Sequence, residues 1–220
     1  MHVIHLEYPL PVPPSDAPGA GQVMAIGDFD GVHVGHAEVI RRAVETARRL
    51  NRPSAVMTFH PHPREVLGQD AYMSCLTPLP AKIDRFAELG VERTYVFKFD
   101  RAFSQVTPDG FVSDVLLKLG VDTVVVGFDF TFGRGGAGTP DTLCELAAGR
   151  FAVEVVRPVH LDGEKVSSTL VRRQLKAGEM DRVSRLLGRR YQLTGKVVPR
   201  DARGRQIGFP TANIAPDAPY

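Results

Sequence analysis

The 220-residue chain is 43% hydrophobic and 24% charged, with a formal net charge of +2, the balance of a globular protein with a core of its own. Without a long basic run it carries no electrostatic footprint for nucleic acid, and no stretch nears the ~18 apolar residues of a membrane span. Cys75 and Cys144 lack a CxxC partner, which excludes a cysteine zinc site and points to a reducing, cytoplasmic setting; no basic-then-apolar leader opens the chain.

Residues 9–21 hold five prolines and two glycines and read as an extended lead-in. Val23 to Gly27 is a short apolar run, the pattern of a buried strand. After a loop, His36 to Leu50 has helical spacing, with Val39, Ile40, Val44, Ala47 and Leu50 on one face. The unit repeats. Ala55 to Phe59 reads as a strand, Pro80 to Leu89 as a helix stopped by Gly90, and Thr94 to Phe97 as a strand. Pro108 to Leu119 reads as a helix, Thr123 to Val126 as the most buried strand, Asp141 to Ala148 as a helix and Val153 to Val156 as a strand. Strands alternating with amphipathic helices predict a mostly parallel sheet, an α/β nucleotide-binding domain over roughly 18–185. Ser168 to Ala177 and Met180 to Leu187 follow as two helices, and Arg182, Arg185, Arg189 and Arg190 read as one solvated face. From Tyr191 to Val198 the text becomes strand-like, with a turn at Arg200 to Gly204.

Candidate chemistry begins at Gly27-Asp28-Phe29-Asp30-Gly31-Val32-His33-Val34-Gly35-His36, which links the first strand to the first helix. Parallel sheets bind ligands at such junctions. A helix N-terminus there offers free N–H groups and a partial positive charge to a phosphate. Gly31 and Gly35 admit close approach, and His33 and His36 add donors for phosphoryl oxygens. A zinc site on these histidines would need a third ligand that no nearby spacing supplies.

This segment resembles the HxGH signature of the nucleotidyltransferases. The fuller string is similar to that of the bacterial bifunctional riboflavin kinase/FMN adenylyltransferases, the prokaryotic FAD synthetases. The resemblance implies a Rossmann-like domain over 1–187 that adenylates FMN with ATP, and the start of a β-barrel flavokinase domain over 188–220. Thr58-Phe59-His60-Pro61-His62-Pro63 looks like the family's flavin-side loop. Val126-Gly127-Phe128-Asp129-Phe130-Thr131-Phe132 follows the most buried strand. Its phenylalanines around an Asp can pack an isoalloxazine face and anchor it. The string departs from the family at Phe128, where an acidic residue is frequent. Gly133, Gly135 and Gly138 also fit GxGxxG, with Glu154 at about the right distance. They stand too far from the strand end, and Pro140 starts the helix after the last of them, against a dinucleotide site.

Ser167-Ser168-Thr169-Leu170-Val171-Arg172 opens a helix for which Ser168 is a natural N-cap, with Arg172 on the first turn. It resembles a family motif whose hydroxyls and arginine hold the ATP β- and γ-phosphates. The resemblance thus implies His33, His36, Ser168 and Arg172 as catalytic residues. It puts Gly27, Asp28, Phe29, Gly35, Ser167 and Thr169 with ATP, and His60, Pro61, His62, Pro63, Phe128, Asp129 and Phe130 with FMN. Mg²⁺ is expected to bridge phosphates, mostly through water and substrate oxygens. Gly208-Phe209-Pro210-Thr211-Ala212-Asn213 looks like a flavokinase string with Thr211 and Asn213 near Mg-ATP. The family's catalytic glutamate lies beyond residue 220, so no independent riboflavin kinase activity is expected of this chain. Two other classes remain: an HxGH enzyme with another acceptor, such as phosphopantetheine or nicotinamide mononucleotide, and a flavin-binding module that leaves ATP untouched.

Overall fold

In the computed structural model, residues 1–10, 21–68, 75–198, 208 and 212–216 are described. Six strands form one parallel sheet: β1 (His2–Leu6), β2 (Gln22–Ile26), β3 (Ser54–His60), β4 (Arg93–Lys98), β5 (Val121–Gly127) and β6 (Ala152–Val156). Their order is β1-β4-β3-β2-β5-β6. The chain moves from β2 outward through β3 and β4, then returns to β2's other side as β5. That reversal splits the helices between the two faces and opens a crevice at the carboxyl end of β2.

β2 is buried along its whole length, and its alternation explains the layering. Met24 and Ile26 enter one core with Phe97, Phe103, Phe111 and Leu143. Val23 and Ala25 enter the other with Ile40, Val44, Val56 and Phe86. The second core is roofed by α1 (Val34–Leu50) and α3 (Leu79–Glu88). The first is covered by α4 (Arg101–Ser104), α5 (Pro108–Phe111) and α6 (Pro140–Ala147). A short α2 (Pro63–Val66) follows β3. A small hairpin, β7 (His160–Leu161) and β8 (Glu164–Lys165), precedes the paired helices α7 (Ser168–Ala177) and α8 (Met180–Leu187). Leu170, Val171, Val183, Leu186 and Leu187 pack those helices together with Leu76 and Val166.

Several expectations are corrected. The sheet begins with β1, ahead of any expected strand, and residues 11–20 of the lead-in lie outside the described residues. The expected helix over 108–119 is α only to Phe111. It then widens into a π turn over Val112–Leu116, where the Leu117 N–H bonds the Val112 carbonyl. The strand expected over 191–198 is confined to β9 (Gly195–Val198), paired antiparallel with β10 (Asn213–Pro216). The turn at 200–204 lies outside the described residues. Arg182, Arg185, Arg189 and Arg190 do not form one solvated helix face, since α8 ends at Leu187. Arg182 and Arg185 pair with Glu164 and Asp162 on the β7–β8 hairpin, and Arg189 turns inward onto main-chain carbonyls.

One polar link crosses the first core. Gln22, fully buried, donates to the Leu119 carbonyl (2.7 Å) and accepts from the Tyr95 hydroxyl (3.1 Å). Gln22→Leu strands both partners and should destabilise by about 2–3 kcal/mol in urea unfolding, more than Tyr95→Phe.

Candidate active site

The β2–α1 loop is held in an uncommon shape. Phe29 (φ 56), Gly31 (φ 87) and Val32 (φ 37) are all left-handed. For bulky Phe29 and β-branched Val32 that conformation costs on the order of 1–3 kcal/mol each. A Cβ on Gly31 would stand 2.9 Å from Leu76 Cδ1, so a side chain there would have to push that methyl aside besides holding the left-handed backbone. The loop's carbonyls accept from distant elements. The Thr58 hydroxyl (2.9 Å) and Lys82 ammonium (2.7 Å) bond Asp28 O, and the Ser168 hydroxyl (2.9 Å) bonds Asp30 O. The Arg189 guanidinium bonds both Gly31 O (2.9 Å) and Val32 O (3.0 Å).

This loop delivers two stacked imidazoles. His33 caps α1, its Nδ1 accepting the His36 N–H at 3.1 Å. A nitrogen that accepts carries no proton, so the neutral His33 ring has its N–H on Nε2. The His33 and His36 rings stack at 3.6 Å, and the edge of Phe29 meets His36 at 5.4 Å. His36 Nδ1 is buried without a hydrogen-bond partner among the described residues. Burial pushes the His33 imidazole down to about 4. Asp129 opposes the shift, while Lys165 and Arg189 add to it. Burial, joined by His33, pushes His36 well below the usual histidine range. The pair is therefore neutral near pH 7, a source of N–H donors rather than of charge.

Two carboxylates organise the rest. Burial alone would raise the Asp28 carboxyl, but Lys82 and His62 outweigh it and hold it at about 2. His62 Nδ1 accepts the Arg64 N–H, so its Nε2 donates to Asp28 Oδ2 at 2.9 Å. Asp30 is buried; it accepts the N–H groups of Leu76 (2.9 Å) and Thr77 (3.0 Å) and pairs with the Arg172 guanidinium. Ser167 rather than Ser168 is the N-cap of α7, accepting from Leu170 N–H. Ser168 is the first helical residue, which frees its hydroxyl for Asp30 O, and Arg172 falls on the second turn, not the first.

A cleft of about 520 Å³ brings these groups together, within the size range of small-molecule sites. His33, His36, Ser168 and Arg172 line it, as do Gly27, Asp28, Phe29, Gly35, Ser167 and Thr169. His62, Pro63, Phe128, Asp129 and Phe130 line it too. His60 and Pro61 are not among its lining residues: His60 ends β3 with its side chain exposed. Of the three phenylalanines after β5, Phe128 is exposed, Phe130 stacks on Phe132, and Phe132 is buried in the core. Phe132 also pairs with Gly138 in an antiparallel bridge, so the glycine string closes a loop on itself; α6 begins afterwards at Pro140. No helix N-terminus faces a dinucleotide there. Asn213 sits on β10, and Thr211 lies outside the described residues.

Sequence reasoning missed Asp30, Lys82 and Lys165. Lys165 reaches Asp129 Oδ2 at 2.7 Å and lies 4.2 Å above the Phe128 ring, a cation–π contact beside the cleft. Asp30 before a glycine reads as a turn residue, and nothing local signals that it serves chain more than forty residues away.

The FAD synthetase model matches residues 16–170, and the riboflavin kinase model matches 187–219. The bifunctional riboflavin kinase/FMN adenylyltransferase of Listeria monocytogenes is 41% identical over 221 residues, covering 100% of this chain and 70% of that protein. Its Bacillus subtilis counterpart is 39% identical, with 100% and 69% covered. The Escherichia coli K12 protein of the same description is 40% identical over 204 residues, with 91% and 64% covered. A crystal structure described as a macrolide-efflux protein from Streptococcus pneumoniae matches with a TM-score of 0.85 and 29% identity, over 100% of this chain and 70% of that one. Among the described residues, no helix is long and apolar enough to cross a membrane.

The depressed His33 pKa has a signed consequence. Folding holds it near 4 against 6.5 in the open chain, so stability present above pH 6.5 is lost as pH falls toward 4. His33→Asn keeps a capping side chain but removes this titration. The wild type's stability relative to that variant should therefore fall by up to ~3 kcal/mol between pH 7 and pH 4, read by denaturant unfolding at each pH.

Proposed function

The chain belongs to the FAD synthetase family, and from that membership we infer that it transfers the adenylyl group of ATP to FMN, giving FAD and pyrophosphate. Support from the fold comes through one observation: the stacked imidazoles, the Ser168–Arg172 helix and the Phe128–Asp129 wall all border a single cleft. That cleft lies where β2 ends and the sheet reverses direction.

The proposed chemistry is an in-line attack by an FMN phosphate oxygen on the ATP α-phosphorus. The P–O bond to the pyrophosphate group breaks as the new one forms. A phosphate is already anionic near neutrality, so no strong base is required, and catalysis reduces to positioning and charge stabilisation. His33, through Nε2–H, and His36 would donate to α-phosphoryl oxygens as charge builds on them. Neutral donors suit this role, since they need not be desolvated as ions when the cleft fills. Ser168, through its main-chain N–H, and Arg172 would hold the departing pyrophosphate at the start of α7, where the helix end adds partial positive charge. Ser167, Thr169, Gly27, Asp28, Phe29 and Gly35 would border the nucleotide. Phe128, Phe130, Asp129, His62 and Pro63 would border the flavin.

Mg²⁺ was expected with the nucleotide. Among the described residues no three His, Cys, Asp or Glu side chains converge as a metal cage, and Asp30 is committed to Leu76, Thr77 and Arg172. These residues do not fit a protein-held ion.

Residues 1–187 would form the adenylyltransferase domain, and 188–220 the opening of a flavokinase barrel. The riboflavin kinase match over 187–219 and the antiparallel β9–β10 pair support that division.

Incubating the protein with ATP, Mg²⁺ and FMN should yield FAD and pyrophosphate by chromatography, with phosphopantetheine and nicotinamide mononucleotide left unchanged. Adenylylation of either of those in place of FMN refutes the assignment. His36→Ala should lower turnover roughly 10²–10³-fold, the scale of one lost oxyanion donor.

A further inference from the structure

We propose that Arg189 is a positioning residue for adenylyl transfer: from just beyond α8, its guanidinium clamps the left-handed turn that aims His33 and His36. The proposal rests on the function inferred above. Its structural half, the clamp, can be judged separately.

Arg189 spends its donors on main chain. Nη2 bonds Gly31 O at 2.9 Å, and Nη1 bonds Val32 O at 3.0 Å and Leu187 O at 3.2 Å. Gly31 and Val32 are the two consecutive left-handed residues of the loop, and Val32 is β-branched. A turn that is locally unfavourable persists only when its surroundings over-determine it. Here the determinant arrives from 157 and 158 residues away in the chain. The residue after Val32 is His33, whose Nδ1 bond to His36 N–H starts α1. A rotation of the 31–32 peptide would therefore displace both imidazoles together.

The third bond, to Leu187 O, gives the clamp its reference point. Leu186 and Leu187 are buried against α7, the helix that carries Ser168 and Arg172. Arg189 thus joins the loop bearing the imidazoles to the helix pair bearing the guanidinium and hydroxyl. Ser168, bonded to Asp30 O, makes a second tie between the same parts. Both face one phosphate chain, and an error of about 1 Å between them is enough to cost on the order of 10²-fold in rate. A planar fork with several donors can serve adjacent carbonyls in fixed geometry, which a lysine ammonium cannot reproduce. The half-buried charge also adds to what keeps His33 neutral. Arg189 lies beyond residue 170, where the FAD synthetase match ends, and inside the riboflavin kinase match.

The test compares Arg189→Ala, Arg189→Lys and the exposed neighbour control Arg190→Ala in the full chain. Two readouts are taken: kcat and KM for FAD formation, and hydrogen exchange of the 27–36 segment. Arg189→Ala should lower kcat about 10- to 100-fold with little change in either KM. It should speed exchange in 27–36, and millimolar methylguanidinium should restore part of the rate. Arg189→Lys should fall between, and Arg190→Ala should match the wild type. Three results overturn the proposal: unchanged kcat in Arg189→Ala, unchanged exchange in 27–36, or a loss of rate that tracks the folded fraction and ignores methylguanidinium. A wild-type protein that makes no FAD defeats the inferred function alone, and the exchange comparison then still decides the clamp.

Discussion

The molecule's chemistry depends on where five consecutive peptide carbonyls point. From Asp28 to Val32, each bonds a donor: Thr58 and Lys82, the Val32 N–H, Ser168, and Arg189 twice. Carbonyls turned outward in this way permit the left-handed residues between β2 and α1, and those residues bring the chain round so that α1 starts beside the cleft. The local conformation is unfavourable by itself. It is stabilised by charged and hydroxyl donors from β3, α3, α7 and the segment past α8, so the site is assembled only when the whole domain is folded.

That rigidity suits a reaction in which the protein supplies no nucleophile. Preorganised donors stabilise developing charge without having to reorient. Burial keeps both imidazoles uncharged, so the rings stack 3.6 Å apart without like-charge repulsion. Positive charge comes instead from guanidinium and ammonium groups that hold carboxylates in place. Arg172 pairs with Asp30 and Lys165 with Asp129. Pairing with the Asp30 carboxylate fixes the plane of the Arg172 guanidinium beside the cleft.

The inner sheet was legible in the sequence because its strands centre on short apolar runs and its helices are amphipathic. β1 was not, since His2-Val3-Ile4-His5-Leu6 lies at an exposed edge and mixes polar with apolar residues. The π turn after Phe111 was also hidden, as helical periodicity does not distinguish an extra residue per turn. At the site, the histidines, serines and Arg172 were readable from local strings. Asp30, Lys82 and Arg189 were not, because each acts on residues remote in the chain and a composition window cannot see its partner. Arg189 read as solvated because its neighbours on α8 are charged, yet its guanidinium is spent on backbone.

The bridge between Phe132 and Gly138 bears on how this sequence can diverge. A Cβ on Gly138 would meet the Phe132 ring at 2.6 Å, inside any real contact. The two positions are therefore locked as a pair: nothing larger than glycine is admissible at 138 until the aromatic at 132 has shrunk. In descendants of this chain they should drift jointly or not at all. A search keyed to glycine spacing alone would take that joint constancy for a nucleotide fingerprint, when its origin is a ring that needs the room.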